Sequence, residues 1–208
     1  MKVTAAPARA RILLFALALC GAPAHAHADW MLTPFLGGTF AGSMVLPDLE
    51  QGASATQLVF GGSAGWWSRG LLGVETDVAY APKFFERDNP SGLVTDSNVL
   101  TLGLNMVVAT PVSVTRESLR PYVVGGLGWM HASIDESQNL FPELFGRAQN
   151  SVAWNVGGGA VGFFTPRTGV RFELRQFRSL ERGTDPLTGE RRALLSFWRA
   201  TVGVVISR

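Results

Sequence analysis

Val152–Leu180, VAWNVGGGAVGFFTPRTGVRFELRQFRSL, is the stretch that decides the fold. Two runs flank a turn at Thr165-Pro166-Arg167-Thr168-Gly169. In the second run Val170, Phe172 and Leu174 alternate with Arg171, Glu173 and Arg175. Successive side chains of a β-strand point to opposite faces, so one face is apolar and the other carries charge of both signs. The first run sets Val152, Trp154, Val156, Ala160 and Phe164 against Ser151, Asn155, Gly157 and Gly159. The stretch reads as an antiparallel hairpin with one face suited to lipid.

The pattern repeats along the chain. Eight strands are predicted: Trp30–Phe40, Thr56–Trp67, Leu71–Tyr80, Asn98–Thr110, Leu119–Ala132, Ser151–Thr165, Gly169–Arg178 and Leu195–Ser207. Each suits a tilted strand crossing a bilayer, which takes about 9–11 residues. In the fourth, Leu100, Leu102, Leu104, Met106 and Val108 oppose Thr101, Gly103 and Asn105; in the third, Leu72, Val74, Val78 and Tyr80 oppose Gly73, Glu75, Asp77 and Ala79. The first and fifth strands alternate less cleanly. The links alternate in length. Ala41–Ala55, Ala81–Ser97, Ser133–Asn150 and Ser179–Leu194 are long, whereas Ser68-Arg69-Gly70 and the Pro166 turn are tight and Pro111–Ser118 is intermediate. Short turns at one rim and long loops at the other belong to an outer-membrane barrel. The predicted fold is all-β: an eight-stranded antiparallel up-and-down transmembrane barrel.

Alternation alone leaves sidedness open, since a lipocalin-like soluble carrier turns its apolar face inward. Three features favour the inverted arrangement. Small residues crowd the polar face, as a narrow eight-stranded lumen requires. Aromatics sit near strand ends (Trp30, Trp66, Trp67, Tyr80, Trp129, Phe163, Phe164, Trp198), where interfacial girdles lie. The beginning of the chain points out of the cytoplasm. On this reading Glu75, Asp77, Arg171, Glu173, Arg175 and Arg199 face the lumen, three acids and three bases able to pair. A plugged core is expected rather than an open pore.

Lys2, Arg9 and Arg11 precede the apolar run Ile12–Cys20, then Gly21, Pro23 and the small-x-small sites Ala24-His25-Ala26 and Ala26-His27-Ala28. This order describes a secretory signal peptide over residues 1–28, leaving a barrel domain over 29–208. Leu17-Ala18-Leu19-Cys20 approximates a lipobox, but Leu19 stands where a small residue is wanted. Signal removal takes three of the 18 basic residues and none of the 16 acidic ones, giving a mature net charge of −1. The basic pI of about 9.1 therefore owes much to the signal, and nucleic-acid binding loses its support. The one cysteine, Cys20, leaves with the signal, so no disulfide or cysteine-based metal site is expected.

The chain resembles the outer-membrane β-barrel family of small OmpA/OmpX-like, porin-family proteins over about residues 29–207. The resemblance rests on Arg120-Pro121-Tyr122-Val123-Val124-Gly125-Gly126-Leu127-Gly128, on Val156-Gly157-Gly158-Gly159 running into Phe163-Phe164, and on Gly169–Arg178. It implies a monomeric barrel in the bacterial outer membrane, surrounded by lipid and lipopolysaccharide and inserted by the outer-membrane assembly machinery. Such proteins usually end in an aromatic residue; this sequence ends Val205-Ile206-Ser207-Arg208.

Candidate chemistry is sparse. Gly157-Gly158-Gly159-Ala160-Val161-Gly162 fits G-x-G-x-x-G, yet a dinucleotide fingerprint must open a helix and this one runs into another strand. No cofactor or metal is expected. His131 and Ser133 fall on one face if the fifth strand reaches that far, the lipid-directed face of Val123, Leu127 and Trp129 near the outer rim. The pair is similar to the His-x-Ser of outer-membrane lipid A deacylases, with Glu136 or Glu143 as the acid that would orient the histidine. The plainer reading is a rim histidine and a loop serine. In the last long loop, Arg191 and Arg192 are candidates for phosphate or an extracellular ligand. The expected function is a non-enzymatic envelope or surface-interaction role, with a lipid hydrolase as the alternative.

Overall fold

A strand that is apolar on one face only must cover that face, and its backbone needs partners on both edges. Closing the sheet on itself inside a bilayer meets both demands at once. In a computed structural model the chain does this. The structure describes residues 28–44, 56–84, 94–115, 119–136, 149–180, 182–184, 191–193 and 195–208. The expected signal peptide lies outside these residues, apart from Ala28.

Eight strands form a closed antiparallel barrel: β1 (Ala28–Met44), β2 (Gln57–Ser68), β3 (Leu72–Pro82), β4 (Val94–Ala109), β5 (Leu119–Glu136), β6 (Gln149–Thr165), β7 (Thr168–Ser179) and β10 (Leu195–Ser207). Each pairs with its neighbours in sequence, and β1 closes the ring against β10. Trp30 and Arg208 exchange two backbone hydrogen bonds of 3.0 Å, joining the first strand to the end of the chain at the short-turn rim. By the usual orientation of such barrels that rim is periplasmic.

The strands run further than the sequence suggests, mostly toward the long-loop rim. β4 begins at Val94 rather than Asn98, and β5 continues to Glu136, so Ser133 belongs to a strand and not to a loop. Two short strands, β8 (Arg182–Thr184) and β9 (Arg191–Ala193), pair within the last long link. The intermediate link carries a single helical turn, α1 (Val112–Thr115). β1 bulges between Phe40 and Ser43, where Ala41 adopts φ 49°. An extra residue there breaks the two-residue period at the outer end of the strand. From Trp30 to Phe40 the period holds, but Met31 and Phe35 put apolar side chains on the inner face, which is why the phase resists reading.

Sidedness is that of a membrane barrel. Leu104 is 71% exposed and Phe172 61%, while Glu75 and Arg175 are buried inside. The soluble-carrier alternative is thereby overturned, because its apolar face would have to line the lumen. Two girdle assignments are also corrected. Trp66 is exposed, but its neighbour Trp67 is 1% exposed and points into the barrel. Adjacent residues of a regular strand cannot both face lipid. Likewise Phe164 faces outward, while Phe163 packs on the inner cluster. Trp30 and Trp129 are exposed, and Tyr80 and Trp198 are partly covered on the outer wall.

The interior is layered. Toward the periplasmic rim lies an apolar cluster that includes Met31, Trp67, Val107, Val124 and Val205. Toward the outer rim lies another, with Val59, Phe84, Val99, Met130, Phe177 and Phe197. The charged residues occupy the level between them.

Candidate functional site: the ionic lumen and the outer wall

β3 and β7 stand four places apart in the ring of eight, on opposite walls. β3 sends Glu75 and Asp77 inward; β7 sends Arg171, Glu173 and Arg175; β10 adds Arg199. All six are sequence-predicted lumen residues, and they meet. Arg171 forms a bidentate pair with Glu75 and a second pair with Glu173. Arg175 bridges all three acids, at 3.2 Å from Glu75, 2.9 Å from Asp77 and 2.7 Å from Glu173. Arg199 lies 2.8 Å from Asp77 and 3.8 Å from Glu173. Three positive and three negative groups thus cancel within one connected cluster. Such compensation is what makes charges tolerable away from water.

Neutral side chains complete the cluster. The Tyr122 hydroxyl donates to Glu173 at 2.9 Å and accepts from Arg171 Nε at 2.6 Å. Asn155 donates to Asn105 and Asn105 to Asp77, both at 2.8 Å. Arg171 also lies over the rings of Tyr122 and Trp67, at 4.7 and 5.3 Å, and Arg199 over Phe177 at 4.5 Å. Ring faces carry negative potential, so the apolar layers solvate the edge of the ionic one. Sequence reading puts Asn105 and Asn155 on the polar faces of their strands but not the partners they meet across the barrel, and it gives Tyr122 no lumen role.

Little space remains. The cavity among Thr33, Ser63, Glu75, Arg171 and Arg175 measures about 10 Å³, roughly the minimum that one water needs. A hollow of about 300 Å³ opens at the periplasmic rim beside Asp29, Arg69, Arg120 and Phe163. Arg120 is held in place at that end, donating to the carbonyls of Thr110 and Ser68 at 3.1 Å and of Gly70 at 3.4 Å.

The outer wall carries the second candidate. His131 and Ser133 project outward from β5, with His131 Nε2 3.0 Å from Ser133 Oγ. The group at the other ring nitrogen is not an acid: Asn150 Oδ1 lies 2.8 Å from Nδ1. Glu143 lies outside the described residues, as does the side chain of Glu136. The glycine motif stays within β6 and runs by a two-residue turn into β7, with no helix to receive a phosphate. The side chains of Arg191 and Arg192 are outside the described residues.

The model of the outer membrane protein beta-barrel domain matches residues 12–204. Among curated proteins, none matches the sequence. Among solved structures, the Neisserial surface protein A barrel superposes with a TM-score of 0.57 at 17% identity, covering 86% of this chain and 96% of that one. The N-terminal barrel domain of Pseudomonas aeruginosa OprF gives 0.54 at 18% identity, over 86% of this chain and 97% of that one. OprG from the same organism gives 0.60 at 14% identity, over 88% and 97%. At these identities the structures establish the fold, and the matched domain establishes the family. The chain belongs to the outer membrane protein β-barrel domain family and resides in the bacterial outer membrane.

Proposed function

We propose that the protein is a sealed envelope barrel with a structural role, whose contacts are made through its outer wall and loops and not through its lumen. The observation that carries this reading is the layered interior: a charge-balanced cluster tied across the full width of the barrel, between two apolar layers. An ion entering the lumen would have to part pairs that have no bulk water to replace them, at a cost of several kcal/mol per stranded charge. The barrel's partners on this reading are outer-membrane lipid and lipopolysaccharide along its wall, and the assembly machinery during insertion. Planar-bilayer recording from refolded protein tests it. The expected result is a flat baseline up to the voltage at which the bilayer itself fails; steady, uniform current steps would refute it.

A further inference from the structure

The outer wall of β5 holds an arrangement in which the sealed lumen takes no part. His131 stacks on Trp129, with ring centroids 5.4 Å apart and planes 22° apart. In the β5–β6 register Asn150 stands opposite His131, and in the β4–β5 register Asn98 stands opposite Ser133. With Asn150 Oδ1 accepting from Nδ1–H, the proton of the neutral ring sits on Nδ1. The Nε2 lone pair is then free to accept from the Ser133 hydroxyl. A serine, a histidine facing it through one nitrogen and a third group fixing the tautomer through the other are the parts of a nucleophilic hydrolase centre. An amide in the third position orients the ring as a carboxylate would, without its charge.

Location names the substrate class. The rung that holds His131 also carries Tyr80, through Leu100, and Trp129 lies two residues nearer the membrane centre. Aromatic belts mark the boundary between hydrocarbon and headgroups, and the acyl esters of membrane lipids lie at that boundary.

We propose that Ser133, His131 and Asn150 form a catalytic centre on the lipid-facing wall that hydrolyses carboxylic esters of acyl chains in the outer leaflet. Ser133 Oγ attacks the ester carbonyl carbon while its proton passes to His131 Nε2. The tetrahedral oxyanion receives hydrogen bonds from the Asn98 amide, which the register sets beside Ser133. Collapse breaks the bond to the alcohol oxygen, and that oxygen takes the proton from Nε2, leaving an acyl-serine. Water then gives a proton to Nε2, and its oxygen attacks the acyl carbon. The fatty acid leaves, and the proton returns to Ser133.

Both phospholipids and lipopolysaccharide carry such esters, so the test runs each alone. Full-length refolded barrel is mixed with detergent micelles of diacyl phosphatidylethanolamine or of lipopolysaccharide, and free fatty acid is read by mass spectrometry. A fluorophosphonate probe is applied in parallel and its adduct mapped by peptide mass. The expected results are release from one of the two lipids and an adduct on Ser133. Ser133→Ala should lower release by about a hundredfold or more while the heat-modifiable gel shift of the folded barrel persists. Asn150→Ala should lower the rate at least about tenfold by freeing the ring, with recovery in Asn150→Asp. Folded wild-type protein that releases no acid from either lipid and takes no label at Ser133 overturns the proposal. So does release that Ser133→Ala leaves unchanged.

Discussion

Glu75 on β3 and Arg171 on β7 are 96 residues apart in sequence and form a bidentate ion pair across the barrel. Each is also tied to a second partner of opposite charge, Glu75 to Arg175 and Arg171 to Glu173. The pair therefore spans the lumen as part of a cluster and does more than link neighbouring strands. Two walls that share no direct backbone hydrogen bond, and whose spacing the closed sheet sets, are thereby also linked by side chains.

Removing one member of that pair leaves the buried cluster with an unbalanced charge. Glu75→Leu should lower the unfolding free energy by about 3–5 kcal/mol, read by urea titration of the refolded barrel. Glu75→Leu combined with Arg171→Leu restores charge balance, so the double variant is expected to be more stable than Glu75→Leu alone. A double variant that is worse by the full sum of both singles would show that charge balance is not what matters.

Tyr122 carries a hydroxyl between a cation and an anion. Tyr122→Phe keeps the ring over Arg171 and removes only the hydrogen bonds to Arg171 and Glu173. The expected loss is about 1.5–3 kcal/mol, the range for a hydrogen bond to a charged group. Unchanged urea stability would place Tyr122 outside the cluster.

Gly159 is where the sheet approaches itself too closely for a side chain. A Cβ there would run into the Phe172 carbonyl oxygen and lie 2.6 Å from Tyr122 Oη. Gly159→Val should block closure and abolish the heat-modifiable band. Gly70→Ala, whose Cβ would meet nothing nearer than Ser68 Oγ at 3.5 Å, should fold normally. Equal folding yields for the two would remove the steric explanation.

Leu104 lies on the outer wall between Leu102 and Met106, at mid-depth and 71% exposed. Leu104→Arg should cost about 2–4 kcal/mol in a bilayer, as a charge at the membrane midplane does. The loss is to be measured by unfolding from lipid vesicles, and a cost near zero would mean that this wall faces water.

The eight barrel strands and the grouping of the six charges on one face are legible in the sequence because both follow from a period of two, and the inward sense of that face follows from the small residues beside the charges. What that period hides is depth and cross-barrel pairing. Trp66 and Trp67 look alike as aromatics, yet the period puts one in lipid and the other beneath Arg171. The His131–Ser133 pair is visible as a spacing, but Asn150 comes from the next strand and is brought opposite by a register no local pattern encodes. The bulge at Ala41 escapes the sequence reading because the predicted strand ends at Phe40 and Ala41 is assigned to the long link.

Sidedness underlies the whole interpretation, and site-directed spin labelling reads it most directly. Labels at Leu104, Val123 and Phe172 are expected to collide freely with dissolved oxygen and little with a water-soluble nickel chelate. Labels at Val107, Val124 and Val205 should be reached poorly by both, giving an oxygen accessibility that alternates residue by residue. Nickel reaching the first set while oxygen reaches only the second would contradict a barrel with its apolar face in lipid and its charges sealed inside.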